Sequence, residues 1–258
     1  MATTSHGIGP SLRAQTEYPS GDGRPMAETP THGRNLTNLI WVLWTWFADD
    51  PQVYVSGNNL MYYVPGDRLK HVAPDVFVVK GIPKEKQRDY YLVWEEGHAP
   101  QLIIEITSRS TKKEDLETKY RLYRDTLRVQ EYFLFDPYGE YLRPKLQGYR
   151  LQQGQYVRIE QVAGRLPSEV LALEFEAAGD DLRVLNPATN AWLQTPEEAI
   201  AAKDDALAAQ DDAIAAKDEI IAAKDETIAV KEQALAARDD EIARLRDQLD
   251  SLRRGDAH

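Results

Sequence analysis

The spacing of apolar residues changes several times along the chain. From about 32 to 48, Leu36, Leu39, Ile40, Leu43 and Phe47 recur at intervals of three and four, and Trp41 and Trp44 widen the stripe. That period predicts a helix packed on a core, with Pro51 after its end. Short apolar runs follow. Gln52 to Ser56 and Leu60 to Val64, separated by Gly57-Asn58-Asn59, predict a hairpin, and Val76 to Val79 a third strand behind Pro74-Asp75. Residues 80–100 are charged and irregular, a connecting loop. Leu102 to Ile106 is again strand-like. Over about 112–127 the helical period returns, with Leu116, Tyr120, Tyr123 and Leu127 on one face and a capping-box spacing at Thr111 and Glu114. Glu131 to Phe135 predicts a strand, Tyr141 to Ile159 a hairpin through residues 152–155, and Val170 to Phe175 a last short strand. Residues 186–192 look like a connector.

Both ends of the chain differ from this middle. Residues 1–30 are rich in Gly, Pro, Ser and Thr and hold too few large apolar side chains to offset their ordering entropy, so a flexible leader is expected. Near the other end, Leu207, Ile214, Ile221, Ile228, Leu235, Ile242 and Leu249 stand seven apart. Taken as the a positions of a heptad, they place Gln210, Lys217, Lys224, Lys231 and Arg238 at d, and only the last two d positions, Leu245 and Leu252, are apolar. A helix over about 196–253 would be roughly 87 Å long. Its polar faces are too wide for core packing, and a projecting, Ala-rich, marginal coiled coil joining copies of the chain is expected, with a single solvated helix as the alternative. The organisation is then a leader (1–30), an α/β domain (31–185), a connector (186–195) and a heptad helix (196–254).

Charge follows the same division. The net charge of −11 is concentrated in residues 197–258, which hold 17 acidic and 9 basic side chains, while the remainder is close to neutral and can carry a local basic face. The chain has no cysteine, which excludes disulfides, thiolate–zinc sites and a thiol nucleophile. Its five histidines form no close pair, so a metal here would take oxygen ligands, which favours magnesium or manganese. No apolar run approaches the ~20 residues of a membrane span, and no apolar signal-peptide core stands at the N-terminus. A cytoplasmic protein without a membrane partner is the expectation.

The candidate chemistry begins at Glu105, a carboxylate inside the apolar run Leu102-Ile103-Ile104-Glu105-Ile106. Burying it there requires a raised pKa or a cation. Asp75 heads another strand. If the two strands are neighbours, the carboxylates converge and hold a hard cation, which polarises a phosphodiester oxygen and activates water. Lys119, one turn beyond Leu116, borders the docking face of its helix and can snorkel to the same place. Each has an ordinary alternative: Pro-Asp as turn chemistry, Glu105 in a structural ion pair, Lys119 as a solvated helix residue.

Pro74-Asp75 followed by Glu105 in an apolar strand resembles the PD-(D/E)XK nuclease superfamily. The run Glu105-Ile-Thr-Ser108-Arg-Ser110-Thr111, with Asp115, Lys119, Tyr123, Val129, Glu131-Tyr132 and Asp136-Pro137, is similar to the Uma-type restriction endonuclease family. The resemblance covers roughly residues 32–160. It implies an α/β, restriction endonuclease-like core, a mixed sheet flanked by helices, with Asp75 and Glu105 as metal ligands, Lys119 as the catalytic lysine, and Mg2+- or Mn2+-dependent DNA cleavage. The chain departs from the pattern in places. Thr107 stands where the superfamily's Glu-X-Lys has lysine, which makes Lys119 the candidate. Arg109, Arg128 and Phe133 stand where the family usually has Pro, Gly and Trp. The first helix region supplies no carboxylate. Arg109, Lys112 and Lys113, with Arg121, Arg124 and Arg128 and with Lys84, Lys86 and Arg88 from the loop, are candidates for phosphate contact. The leading function is a metal-dependent DNA endonuclease that oligomerises through its tail. The competing one is a catalytically degenerate nuclease fold serving as a coiled-coil interaction module, and an RNA or branched-DNA nuclease would share the same site chemistry.

Overall fold

The structure, a computed structural model, describes residues 18–21, 29–109 and 111–255. The chain divides into two compact units at Pro196/Glu197. In the first, α1 (Pro30–Trp46) starts at Thr29, whose hydroxyl accepts from His32 N, with proline in the first turn. The strands follow in order: β1 (Val53–Ser56), β2 (Met61–Tyr62), β3 (His71–Val72), β4 (Val76–Lys80) and β5 (Tyr91–Leu92), then the short α2 (Val93–Glu96) and β6 (Leu102–Ile106). A helix over residues 112–126 leads to β7 (Glu131–Phe135), β8 (Leu146–Gln152) and β9 (Gln155–Arg158). The unit closes with β10 (Leu166–Ser168), β11 (Leu173–Ala178), β12 (Asp181–Asn186) and β13 (Ala191–Trp192).

A six-stranded mixed sheet in the order β1-β4-β6-β7-β8-β9 forms the centre, with β6 and β7 its parallel pair. Side chains alternate across it, because successive strand residues point to opposite faces. Val76, Val78, Leu102, Ile104, Ile106, Phe133 and Phe135 pack with Leu39, Val42 and Leu43 of α1. Phe77, Val79, Ile103, Tyr132 and Leu134 pack on the other face with Tyr123 and Leu127 of the helix over 112–126. Glu105 shares the parity of Ile103 and so lies on that second face.

Several expected elements differ. Gln52–Ser56 and Leu60–Val64 do not form a hairpin: β1 pairs with β4, while β2 pairs with β3 and β5. The reason lies at Gly57, where an added Cβ would come within 2.0 Å of the Asp75 carbonyl oxygen and 2.8 Å of Ile40 Cδ1. Asn58 N donates to Pro74 O at 2.9 Å. The glycine serves close backbone approach, and the chain passes from one sheet to another at this point. The loop 80–100 contains β5 and α2. Residues 186–192, read as a connector, include the end of β12 and all of β13, in a four-stranded antiparallel sheet, β10-β11-β12-β13. That sheet covers the α1 side of the core with Leu166, Leu173, Phe175, Leu182 and Val184. Asn35 ties it to α1, its side chain donating to Asp180 O and accepting from Leu182 N at 2.8 Å. Trp41 and Trp44 face outward rather than widening the buried stripe of α1. Of the expected flexible leader, only Tyr18–Gly21 and the start of α1 are described. Tyr18 packs at a tilt against Tyr62 and Trp94, with ring centroids 4.8 and 5.5 Å away, and its hydroxyl accepts from Gly66 N.

The second unit is the helix α3, 60 residues from Pro196 to Gly255. By itself it exposes the whole row of a-position residues, each about half accessible, from Leu207 through Leu249. Among the described residues no helix is long and apolar enough to cross a membrane.

Candidate active site

Glu105 sits in the middle of β6 with 1% of its surface exposed. Lys119 Nζ donates to its Oε2 at 2.8 Å, and Tyr123 OH donates to its Oε1 at 2.7 Å. Lys119 also contacts Asp115 Oδ1 at 3.1 Å. Asp75, at the head of β4, accepts from the backbone N–H of Ile106 at 2.7 Å through Oδ2, and its Oδ1 lies 3.5 Å from His32 Nε2. The antiparallel pairing of β4 with β6 brings Asp75 beside Glu105's strand.

The helix supplying Asp115, Lys119 and Tyr123 is wound unusually. It is π-helical over Glu114–Lys119 and again over Leu122–Thr126. Four α-helical residues overshoot a full turn by about 40°, and the wider π turns take that overshoot back. Residues 115, 119 and 123 therefore stay in line over β6. Tyr132 OH on the neighbouring strand donates to Asp115 O at 3.0 Å, which holds the widened turn against the sheet. At the helix start, Thr111 does not cap through Glu114; its hydroxyl accepts from Ser108 N at 3.0 Å.

The electrostatics follow from crowding. Burial pushes Glu105 up to about 8; Lys119 pulls against this, and Asp75 and Asp115 add to it. Burial lowers Lys119, but Glu105, Asp115 and Asp75 outweigh it and hold the ammonium above the ordinary lysine value. Lys119 is thus held as an ammonium between Glu105 and Asp115. Burial and then Glu105 raise Tyr123 far above its usual range, so it remains a donor. Three carboxylates share one lysine and one histidine, and the cluster attracts further positive charge.

The structure brings Asp75, Glu105 and Lys119 together. It adds Asp115, Tyr123 and His32, which sequence reasoning did not place in the site. The i, i+4, i+8 spacing of Asp115, Lys119 and Tyr123 carried a readable signal; His32, 43 positions before Asp75, carried none. Thr107, of the same parity as Glu105, is buried with its hydroxyl bonded to Tyr141 OH, so no ammonium enters from that position. Glu131 and Asp136 serve structure. Glu131 receives Arg150 Nε at 2.9 Å and the Ser168 hydroxyl, joining the central sheet to β10, and Asp136 accepts from Tyr141 N and Leu142 N. Arg128 holds a φ of 56°, the left-handed conformation that glycine adopts most easily.

The candidate phosphate contacts separate into two groups. Lys84 bonds the Phe47 and Ala48 carbonyls, Lys86 and Arg88 pair with Glu96, and Arg124 with Asp125. Arg109, Lys112 and Lys113 are exposed at the mouth of the helix; Arg109 lies 3.2 Å from Glu140, and Lys112 lies over the Tyr141 ring.

Among the described residues, no group of three or more His, Asp or Glu side chains converges as a ready metal cage. Magnesium typically takes one or two protein carboxylates and completes its shell with water and substrate phosphate. Asp75 and Glu105, in a cluster short of positive charge, fit that donor set.

No curated protein matches the chain. The crystal structure of a putative nuclease belonging to DUF820 from Anabaena variabilis ATCC 29413 is similar over 57% of this chain and 76% of its own, at 17% sequence identity and a TM-score of 0.41. A family model described as Uma2, putative restriction endonuclease, matches residues 12–184, well over half of the sequence, and the chain belongs to that family.

Proposed function

We propose that the unit ending at Pro196 is a metal-dependent endonuclease that hydrolyses DNA phosphodiester bonds. The observation that carries this reading is the buried Glu105–Lys119 pair beside Asp75, two potential metal ligands with a fixed cation between β6 and the following helix. Family membership supports nuclease chemistry. Magnesium or manganese, when bound, supplies a Lewis acid that polarises the phosphate and activates water. Asp75 and Glu105 would hold it. The Ile106 N–H fixes the Asp75 carboxylate, and Tyr123 anchors one Glu105 oxygen. Asp115 retains the Lys119 ammonium beside the site even as Glu105 engages a cation. Lys119 then balances negative charge growing on the phosphate, a contribution typically worth ~10²–10³ in rate. Arg109, Lys112 and Lys113 take backbone phosphates outside the reacting centre.

Incubation of the full chain with supercoiled plasmid, linear duplex and single strands, in magnesium, manganese or EDTA, tests the proposal. Metal-dependent conversion of plasmid to nicked or linear forms, lost in EDTA, is expected. Inert DNA in every condition would favour the second reading, a degenerate nuclease fold that presents its helix to a partner, for which Thr107 in the lysine position is the motivating observation.

A further inference from the structure

We infer that α3 associates with a second copy of itself in antiparallel orientation, residues 200–252 of one chain running alongside residues 252–200 of the other. The apolar a row extends one heptad earlier than Leu207, to Ile200, and the d row begins at Lys203. All a residues from Ile200 to Leu249 are about half or more exposed along the helix, and none of the described residues of the unit buries them. Orientation is decided at d. In a parallel pair, a packs on a′ and d on d′. Lys203, Lys217, Lys224, Lys231 and Arg238 would each then meet its own copy at the same level of the seam, five layers of like charge in direct opposition. The g positions, Ala206, Ala213, Ile220, Thr227 and Ala234, offer no basic partner to the acids at e, so the bridges that usually orient a parallel pair are missing over most of the length.

An antiparallel pair sets each a against d′. Every Lys or Arg at d then lies over an Ile or Leu of the other chain, its aliphatic stem covering the apolar side chain while its charge reaches water past the small g-position residues. The match spans the entire repeat without overhang: Ile200 opposes Leu252′, Leu207 opposes Leu245′, Ile228 opposes Lys224′, and Leu249 opposes Lys203′. Both fully apolar pairings fall at the ends, and the two-fold relation repeats them, so each end of the rod is clamped. At e the same register levels Asp204 with Arg246′ but sets Asp211 against Asp239′, Asp218 against Glu232′ and Asp225 against its own copy, so the orientation is decided at d and not at e. The two residues 200 lie about 78 Å apart along the axis at 1.5 Å per residue, so the two N-terminal units attach at opposite ends of the paired helices.

The absence of cysteine allows clean labelling of the full chain. Asp212→Cys, Glu226→Cys and Asp240→Cys each place a spin label at an outward-facing f position. Pulsed electron resonance on the antiparallel dimer should give a short distance for the 226 label, on the order of two helix diameters or less. Labels at 212 alone, or at 240 alone, should be separated by about 42 Å along the axis. Mixing 212-labelled with 240-labelled chains should restore a short distance. Short distances for all three single variants would mean a parallel pair and overturn the inference, as would a monomer with no distance between chains. None of these readouts depends on cleavage, so the result stands apart from the proposed nuclease activity.

Discussion

Glu105 has a donor on each carboxylate oxygen and still lies far above the usual carboxylate range, because burial and two acidic neighbours outweigh Lys119. Asp75→Asn and Glu105→Gln keep shape and remove ligand charge, so each is expected to abolish metal-dependent plasmid cleavage; undiminished cutting by either would remove that residue from the site. The same shift sets a pH dependence. A carboxyl raised from 4.5 to about 8 binds its proton more tightly folded than unfolded, so stability falls as pH rises from about 5 through 8. In EDTA, the melting temperature should drop across that window, and Glu105→Gln should flatten the slope; an unchanged slope in the variant would assign the titration elsewhere. Lys119→Ala should lower single-turnover cleavage by ~10²–10³ with little change in DNA affinity. The double variant Lys112→Ala, Lys113→Ala should instead weaken binding and reduce its salt dependence while sparing the chemical step. The reverse pattern, or gain of activity in Thr107→Lys while Lys119→Ala does nothing, would show that the lysine has not moved to the helix.

At the level of elements, two features aim these side chains. The π-wound helix keeps Asp115, Lys119 and Tyr123 in register over β6, and the crossing at Gly57 holds the Asp75 backbone against α1. Gly57→Ala would force a methyl group into the Asp75 carbonyl, where backbone has little room to yield. A loss of about 1–3 kcal/mol in denaturant unfolding is expected, the usual cost of overpacking, together with reduced cleavage at temperatures where the variant remains folded. Wild-type stability and activity in Gly57→Ala would show that the crossing relaxes without moving Asp75.

Across the whole molecule, the two units divide the tasks. The first gathers the carboxylates and Lys119; the second is a helix whose apolar a row is about half exposed. Deleting residues 239–258 should weaken self-association more than removing an equal length from the middle of the repeat, because Leu245 and Leu252 are the apolar d residues. With antiparallel pairing, deleting 197–209 should do comparable damage, since those residues oppose the same two leucines. Sedimentation at micromolar concentration checks both, and a full-length protein that is monomeric there excludes the pairing.

The sequence by itself determined the strand–helix–strand frame around Glu105, the apolar face of Tyr123 and Leu127, and the heptad row, because each is written as a local period in neighbouring residues. It also placed Asp75, Glu105 and Lys119 as candidates through a motif whose members lie at the ends or middles of those elements. Only the tertiary structure decided what β1 pairs with, since Gly57 looks like turn chemistry until the Asp75 carbonyl is packed against it. Only the fold brought His32 to Asp75, and revealed the β10–β13 sheet, whose short strands hold few apolar residues apiece and become stable by covering the α1 face together. Periodicity reports which side of an element is buried. The identity of what buries it is a property of long-range packing, and residues far apart in the chain carry no local sign that they will meet.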